Sequence, residues 1–180
     1  KIDETFTIKK GVTEDIKSAS VGNVKNQIYT GKQIQPAIKV TLNGKTLKAG
    51  KDYTVTYTDN KNTGLVKATI NGIGKYTGTQ TVTFKIVPKK AVLKTVKAGK
   101  SGTATVTIGK AGGKVSGYAI QVSTDSSFKK VTTYRTAKTT YTLKNLSKGK
   151  TYYVRVKAFT KVSDKNVYGA ASKTIKVKAK

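Results

Sequence analysis

The acids of this 180-residue chain are Asp3, Glu4, Glu14, Asp15, Asp52, Asp59, Asp125 and Asp164, and neither histidine nor cysteine accompanies them. Without histidine there is no side chain that ordinarily titrates near neutral pH, the commonest metal ligand is missing, and a Ser-His-Asp triad is excluded. Without cysteine there is no disulfide, thiolate nucleophile or thiolate metal site. Glycoside hydrolysis would need two carboxylates facing each other across roughly 5 to 9.5 Å. The sequence-adjacent pairs, Asp3-Glu4 and Glu14-Asp15, both fall near the start of the chain. A calcium site would need several gathered oxygen ligands. The chain is therefore read as a non-enzyme, with no cofactor and no metal.

Basic residues carry the remaining chemistry: 36 lysines and arginines stand against 8 acids, for a formal charge of +28. Residues 1–87 hold 14 basic and 6 acidic side chains, and residues 88–180 hold 22 and 2, so an electrostatic partner would favour the second half. Alternation decides where those charges point, because successive side chains of a strand face opposite ways. If Tyr152, Val154, Val156 and Ala158 face a core, then Tyr153, Arg155, Lys157 and Phe159 face out. By the same rule Ile175 and Val177 face in, and Lys176 and Lys178 face out. Lysines on exposed strands also serve simply to keep edges unpaired and the protein soluble.

Such alternation requires strands, and nearly every segment supplies one. Tyr53-Thr54-Val55-Thr56-Tyr57-Thr58 and Thr81-Val82-Thr83-Phe84-Lys85-Ile86 are rich in β-branched and aromatic residues with a period of two. Turn signals at Asn43-Gly44, Asn71-Gly72, Gly112-Gly113 and Lys148-Gly149 separate them, and no segment reads as a helix. Pro36 suits an edge or strand start, and Pro88 should end the strand Thr81 to Val87. The fold class is all-β, two tandem immunoglobulin-like sandwiches of residues 1–87 and 88–180. Phe6-Thr7-Ile8-Lys9-Lys10 echoes Phe84-Lys85-Ile86, so residues 1–10 are either the tail of a preceding repeat or the first strand of this one. No apolar run reaches the roughly 20 residues a membrane helix needs, and the segment Lys1-Ile2-Asp3-Glu4 lacks the features of a signal peptide.

The order Ile28-Tyr29-Thr30-Gly31, Pro36, Asn43-Gly44, Gly50-Lys51-Asp52-Tyr53, Gly72, Gly74, Tyr76 and Phe84-Lys85-Ile86 resembles the bacterial Ig-like repeats of Gram-positive surface proteins over about residues 15–87. Within it, Asp52 should accept backbone hydrogen bonds in a turn. Leu146-Ser147-Lys148-Gly149-Lys150-Thr151-Tyr152 and the strand that follows resemble the tyrosine corner and F strand of fibronectin type III modules, a resemblance that covers about residues 89–180. Gly117–Ser123 resembles strand C. The usual strand-B tryptophan is missing, and Ile108 stands in for it.

A fibronectin-type arrangement makes the last two strands neighbours. Tyr153, Arg155, Lys157, Lys176 and Lys178 would then share one face, which Arg135 extends. That face suits an anionic polysaccharide, a teichoic acid or a host glycan, held through many salt-screened contacts. Nucleic acid is not expected, because no reading motif accompanies the charge. The resemblances imply a monomeric spacer or accessory region of a bacterial surface or secreted protein, extracellular, with neighbouring domains of the same polypeptide as partners. An adhesion module and the accessory domain of a secreted enzyme are the other roles they imply. Other chemistry is set aside: a Lys–Asn isopeptide link lacks a promoting buried acid, and the glycosylation sequon Asn145-Leu146-Ser147 coincides with the tyrosine corner.

Overall fold

The computed structural model describes residues 13–180. The echo at residues 1–10 and the Asp3-Glu4 pair lie outside the described residues. Spatial proximity groups the chain into two compact units, one of the described residues up to Val24 with 35–58 and 67–83, the other of 25–34, 59–66 and 84–180.

Up to Val87 the strands are β1 (Glu14–Asp15), β2 (Ser20–Val21), β3 (Gln27–Ile28), β4 (Val40–Leu42), β5 (Lys45–Thr46), β6 (Tyr53–Thr58), β7 (Gly64–Gly72), β8 (Tyr76–Thr77) and β9 (Thr79–Val87). One sheet has the order β3-β9-β7-β6 and another β2-β4-β5, while β1 pairs with β8. Val66, Ala68 and Ile70 on β7 and Phe84 and Ile86 on β9 are all buried, each on alternate positions. Tyr53 is buried too and donates its hydroxyl proton to the Ile38 carbonyl.

Local chemistry explains the connections. Asn43 and Gly44 both have positive φ, 49° and 77°, which makes the two-residue hairpin turn that joins β4 to β5. Asp52 accepts the Lys48 N–H at 2.8 Å, the turn role expected of it. Pro88 follows directly on β9, while Pro36 lies outside any strand, and its carbonyl accepts the Tyr57 hydroxyl. Asn71-Gly72 is not a turn: it closes β7. Gly72 is needed there for a different reason, since a Cβ would stand 2.7 Å from the Thr77 carbonyl oxygen.

After Pro88 come β10 (Val92–Ala98), β11 (Ala104–Gly109), β12 (Gly117–Ser123), β13 (Thr132–Thr136), β14 (Thr140–Leu143), β15 (Thr151–Val162), β16 (Lys165–Tyr168) and β17 (Ile175–Lys178). One sheet runs β10-β11-β14. The other runs β13-β12-β15, with β16 and β17 both paired to β15. Val106, Ile108, Ile120, Leu143, Val154 and Val156 fill the core between them, with Ile108 buried as expected of the tryptophan's substitute. The Tyr152 hydroxyl accepts the Ser147 N–H at 3.0 Å beside buried Leu146, which is the tyrosine corner.

The glycine geometry sets an order of stabilities. Gly72→Ala forces backbone apart and should cost about 2–3 kcal/mol. Gly44→Ala meets open space but keeps a left-handed backbone, for about 1 kcal/mol. Urea denaturation of the two variants should rank them in that order, and equal losses would contradict the close packing at Gly72.

Candidate functional site

Tyr118, Ile120 and Val122 of β12 and Val154, Val156 and Ala158 of β15 belong to the core, and alternation puts Ala119, Gln121 and Ser123 on the other face with Tyr153, Arg155 and Lys157, where Ala119 and Ser123 are themselves covered by neighbouring side chains. Register lays this face out in rows. Arg135, Ala119 and Lys157 are cross-strand neighbours; Thr133, Gln121 and Arg155 form the next row; Ser123, Tyr153 and Lys176 form the third. Lys178 pairs with Thr151 one row further on. Two residues of a strand advance about 6.7 Å, so the Lys157 and Lys178 rows lie roughly 20 Å apart.

The middle row is locked. Arg155 donates from Nε to Gln121 Oε1 at 2.8 Å, and its guanidinium carbon lies 4.0 Å from the centre of the Phe128 ring. Phe128 reaches that position with φ of 57°, left-handed for a residue with a Cβ. Asp125 holds it there: its carbonyl accepts the Phe128 N–H at 3.0 Å, and its carboxylate accepts the Ser127 hydroxyl and the Ser127 and Lys129 N–H groups. Those bonds, the Ser127 hydroxyl first, hold the Asp125 carboxyl below the ordinary aspartate pKa. Through these bonds the acid shapes the loop that carries Phe128.

The first row contains a notch. Ala119 is the small residue between two long cations, and the space it leaves, about 170 Å³, is lined by Ala119, Gln121, Thr133, Arg135, Lys157 and Tyr168. Tyr168 comes from β16, whose ring packs 5.7 Å from that of Phe159. Its hydroxyl oxygen accepts from Arg135 Nε and Nη2 at 3.4 and 3.3 Å and from Asn166 Nδ2 at 3.4 Å. Among the described residues the ion pairs are Lys75 with Glu14 and Lys161 with Asp164, so none of the cations on this face meets a carboxylate. No group of three or more acids gathers anywhere among the described residues.

Residues 93–174 match the family model of the fibronectin type III domain. A fibronectin type III domain is found there. The chain is similar to chicken CNTN1 FN1-FN3 domains at 21% identity, covering 66% of this chain and 44% of that one with a TM-score of 0.47. It is also similar to the sixth fibronectin type III domain of human fibronectin type III domain containing protein 3, at 21% identity, covering 50% and 83% with a TM-score of 0.41. Domains A168-A170 from titin share 13% identity, covering 90% of this chain and 66% of that one with a TM-score of 0.40. No ligand follows from these likenesses. No curated protein matches the chain. Among the described residues no helix is long and apolar enough to cross a membrane.

Within the fibronectin type III domain the outward phase of Tyr153, Arg155, Lys157, Lys176 and Lys178 is as the alternation indicates, and β17 does adjoin β15. The residues do not make one cluster. Arg135 and Lys157 belong to the notch, Arg155 is tied to Phe128 and Gln121, Tyr153 and Lys176 share a row, and Lys178 is alone at the far end. Phe159, expected to face out, is buried instead, because Tyr168 covers it from one side and Gly117 receives its ring on the other. Sequence reasoning missed Tyr168, Gln121 and Phe128 as site residues. Gln121 alone carried a signal, being a long polar side chain in the middle of a mostly apolar strand.

The tyrosines divide by hydrogen-bond role. Tyr152 and Tyr168 accept bonds that favour the phenolate, so both titrate below the ordinary phenol value, Tyr152 through Ser147 and Tyr168 through Arg135. Burial raises Tyr53 and Tyr57. The stability from a lowered folded-state value is fully present above the unfolded phenol pKa of about 10 and is lost as pH falls through the lowered value, so it contributes nothing at neutrality. Ultraviolet titration should show an early phenolate rise, part of which disappears in both Tyr168→Phe and Arg135→Gln. An unchanged early rise in Arg135→Gln would refute the assigned contact.

Proposed function

We propose that this chain is a non-catalytic accessory region of an extracellular modular protein, and that its second domain binds an anionic polymer along the outer face of β15. Domains of the fibronectin type III kind are commonly extracellular and typically belong to multidomain proteins, which supports the accessory role. We place the boundary at Pro88, after a first domain of residues 1–87 that we read as a bacterial Ig-like repeat over about 15–87, and take the parent to be a Gram-positive surface or secreted protein. The region acts as a monomeric spacer that projects or supports a neighbouring domain.

The observation that carries the binding role is the set of cations on one sheet face, Arg135, Arg155, Lys157 and Lys176, without a carboxylate partner among the described residues. A sheet that only needed solubility would gain as much from mixed charge. Unpaired cations in rows about 6.7 Å apart instead repel one another until an anion compensates them. Polysaccharides carrying sulfate, phosphate or carboxylate groups supply such anions at intervals.

Retention on sulfated glycan or on teichoic-acid-bearing wall at about 0.15 M salt, where diffuse attraction is already screened, should be lost in the double variant Arg155→Glu and Lys157→Glu. Undiminished retention would remove the binding role and leave the spacer.

A further inference from the structure

We infer that the notch beside Ala119 is a receptor for one tetrahedral oxyanion, a sulfate or phosphate group esterified to a sugar of the polymer. This rests on the proposed reading of the face and narrows it: the polymer is recognised at one built position as well as attracted by charge.

Every polar group lining the notch offers a proton. Arg135 supplies a guanidinium and Lys157 an ammonium. The Gln121 Oε1 is taken by Arg155 Nε, which turns the amide N–H groups of Gln121 away from that bond. Thr133 contributes a hydroxyl. Tyr168 already accepts from Arg135 and Asn166, so its own O–H is left to donate. No carboxylate lines the space, which makes it a poor seat for a cation and a good one for an oxyanion.

The Arg135 to Tyr168 contacts are long, 3.3 and 3.4 Å, and an ionised oxygen at ordinary distance would replace them with shorter, charge-assisted bonds. Size agrees as well. About 170 Å³ corresponds to roughly six waters at their share of liquid volume, which leaves room for a tetrahedral sulfate or phosphate group. A planar carboxylate would satisfy the Arg135 fork but leave the remaining donors unmet. Ala119 is 2% exposed and forms the floor of the notch beneath its neighbours, so a longer side chain there would enter the space without removing a charge.

The test uses the whole chain and three probes: inorganic sulfate, a sulfated oligosaccharide with its desulfated form, and poly(glycerol phosphate). Titration with sulfate should shift the side-chain resonances of Arg135 Nε–H and Gln121 Nε2–H₂, and Ala119→Gln should abolish those shifts while folding normally. The same variant should weaken the sulfated oligosaccharide by on the order of tenfold, the weight of a charge-assisted hydrogen bond, and leave the desulfated form unchanged. Poly(glycerol phosphate) shows which ester the notch prefers: weakening of its binding by Ala119→Gln places phosphate in the notch, and weakening of the sulfated ligand alone places sulfate there. If Ala119→Gln changes neither ligand and no resonance moves, the notch is overturned even where the Arg155 and Lys157 reversal still abolishes polymer retention. If Lys176→Glu with Lys178→Glu, both outside the notch, leaves retention unchanged while sulfate still moves Arg135 and Gln121, the broader face fails and the notch stands.

Discussion

Val154 and Val156, wholly buried in the middle of β15, settle which way the other side chains on that strand point. Burying an aliphatic side chain of this size is worth about 1.5–3 kcal/mol, while burying an unpaired arginine or lysine costs several. A one-residue slip of β15 would exchange Val154 and Val156 for Arg155 and Lys157 in the core. The register is therefore held by a large penalty, and the basic face is its unavoidable counterpart. Paired strands β12 and β17 inherit that choice, because Gln121 stands opposite Arg155 and Lys176 opposite Tyr153.

Four of the described acids act on their own loops and turns. Asp52 closes the loop before β6, Asp15 caps the short 3-10 turn of Ile16–Ser18, and Asp125 organises the loop that carries Phe128. Asp164 sits exposed in the turn between β15 and β16, facing Lys161. Among the described residues the cations of the outer sheet face therefore have no carboxylate partner. The large charge and the scarcity of acids are thus one feature, expressed on the surface because the strands admit it nowhere else.

Several elements were legible before any coordinates. The period-two pattern marks the strands, Asn43-Gly44 marks a hairpin, and Leu146 with Tyr152 marks the tyrosine corner, each through chemistry local to a few residues. Asn71-Gly72 misled because the same dipeptide that favours a tight turn also permits close approach of another backbone, here that of Thr77. Phe159 misled because alternation gives a side chain's direction and says nothing of what later covers it.

By itself the sequence determined the all-β class, the absence of histidine and cysteine chemistry, and the outward phase of Tyr153, Arg155, Lys157, Lys176 and Lys178. These depend on composition and on a two-residue period that any strand must obey. Only the tertiary structure decided that Arg135 and Lys157 flank Ala119, that Tyr168 closes the notch over them, and that Phe128 pins Arg155. Those contacts join residues 11 to 38 positions apart, and their meeting rests on strand register and on the path of a hairpin. Neither is encoded in the spacing of any one segment, because both follow from how separate strands bury their inner faces against a common core.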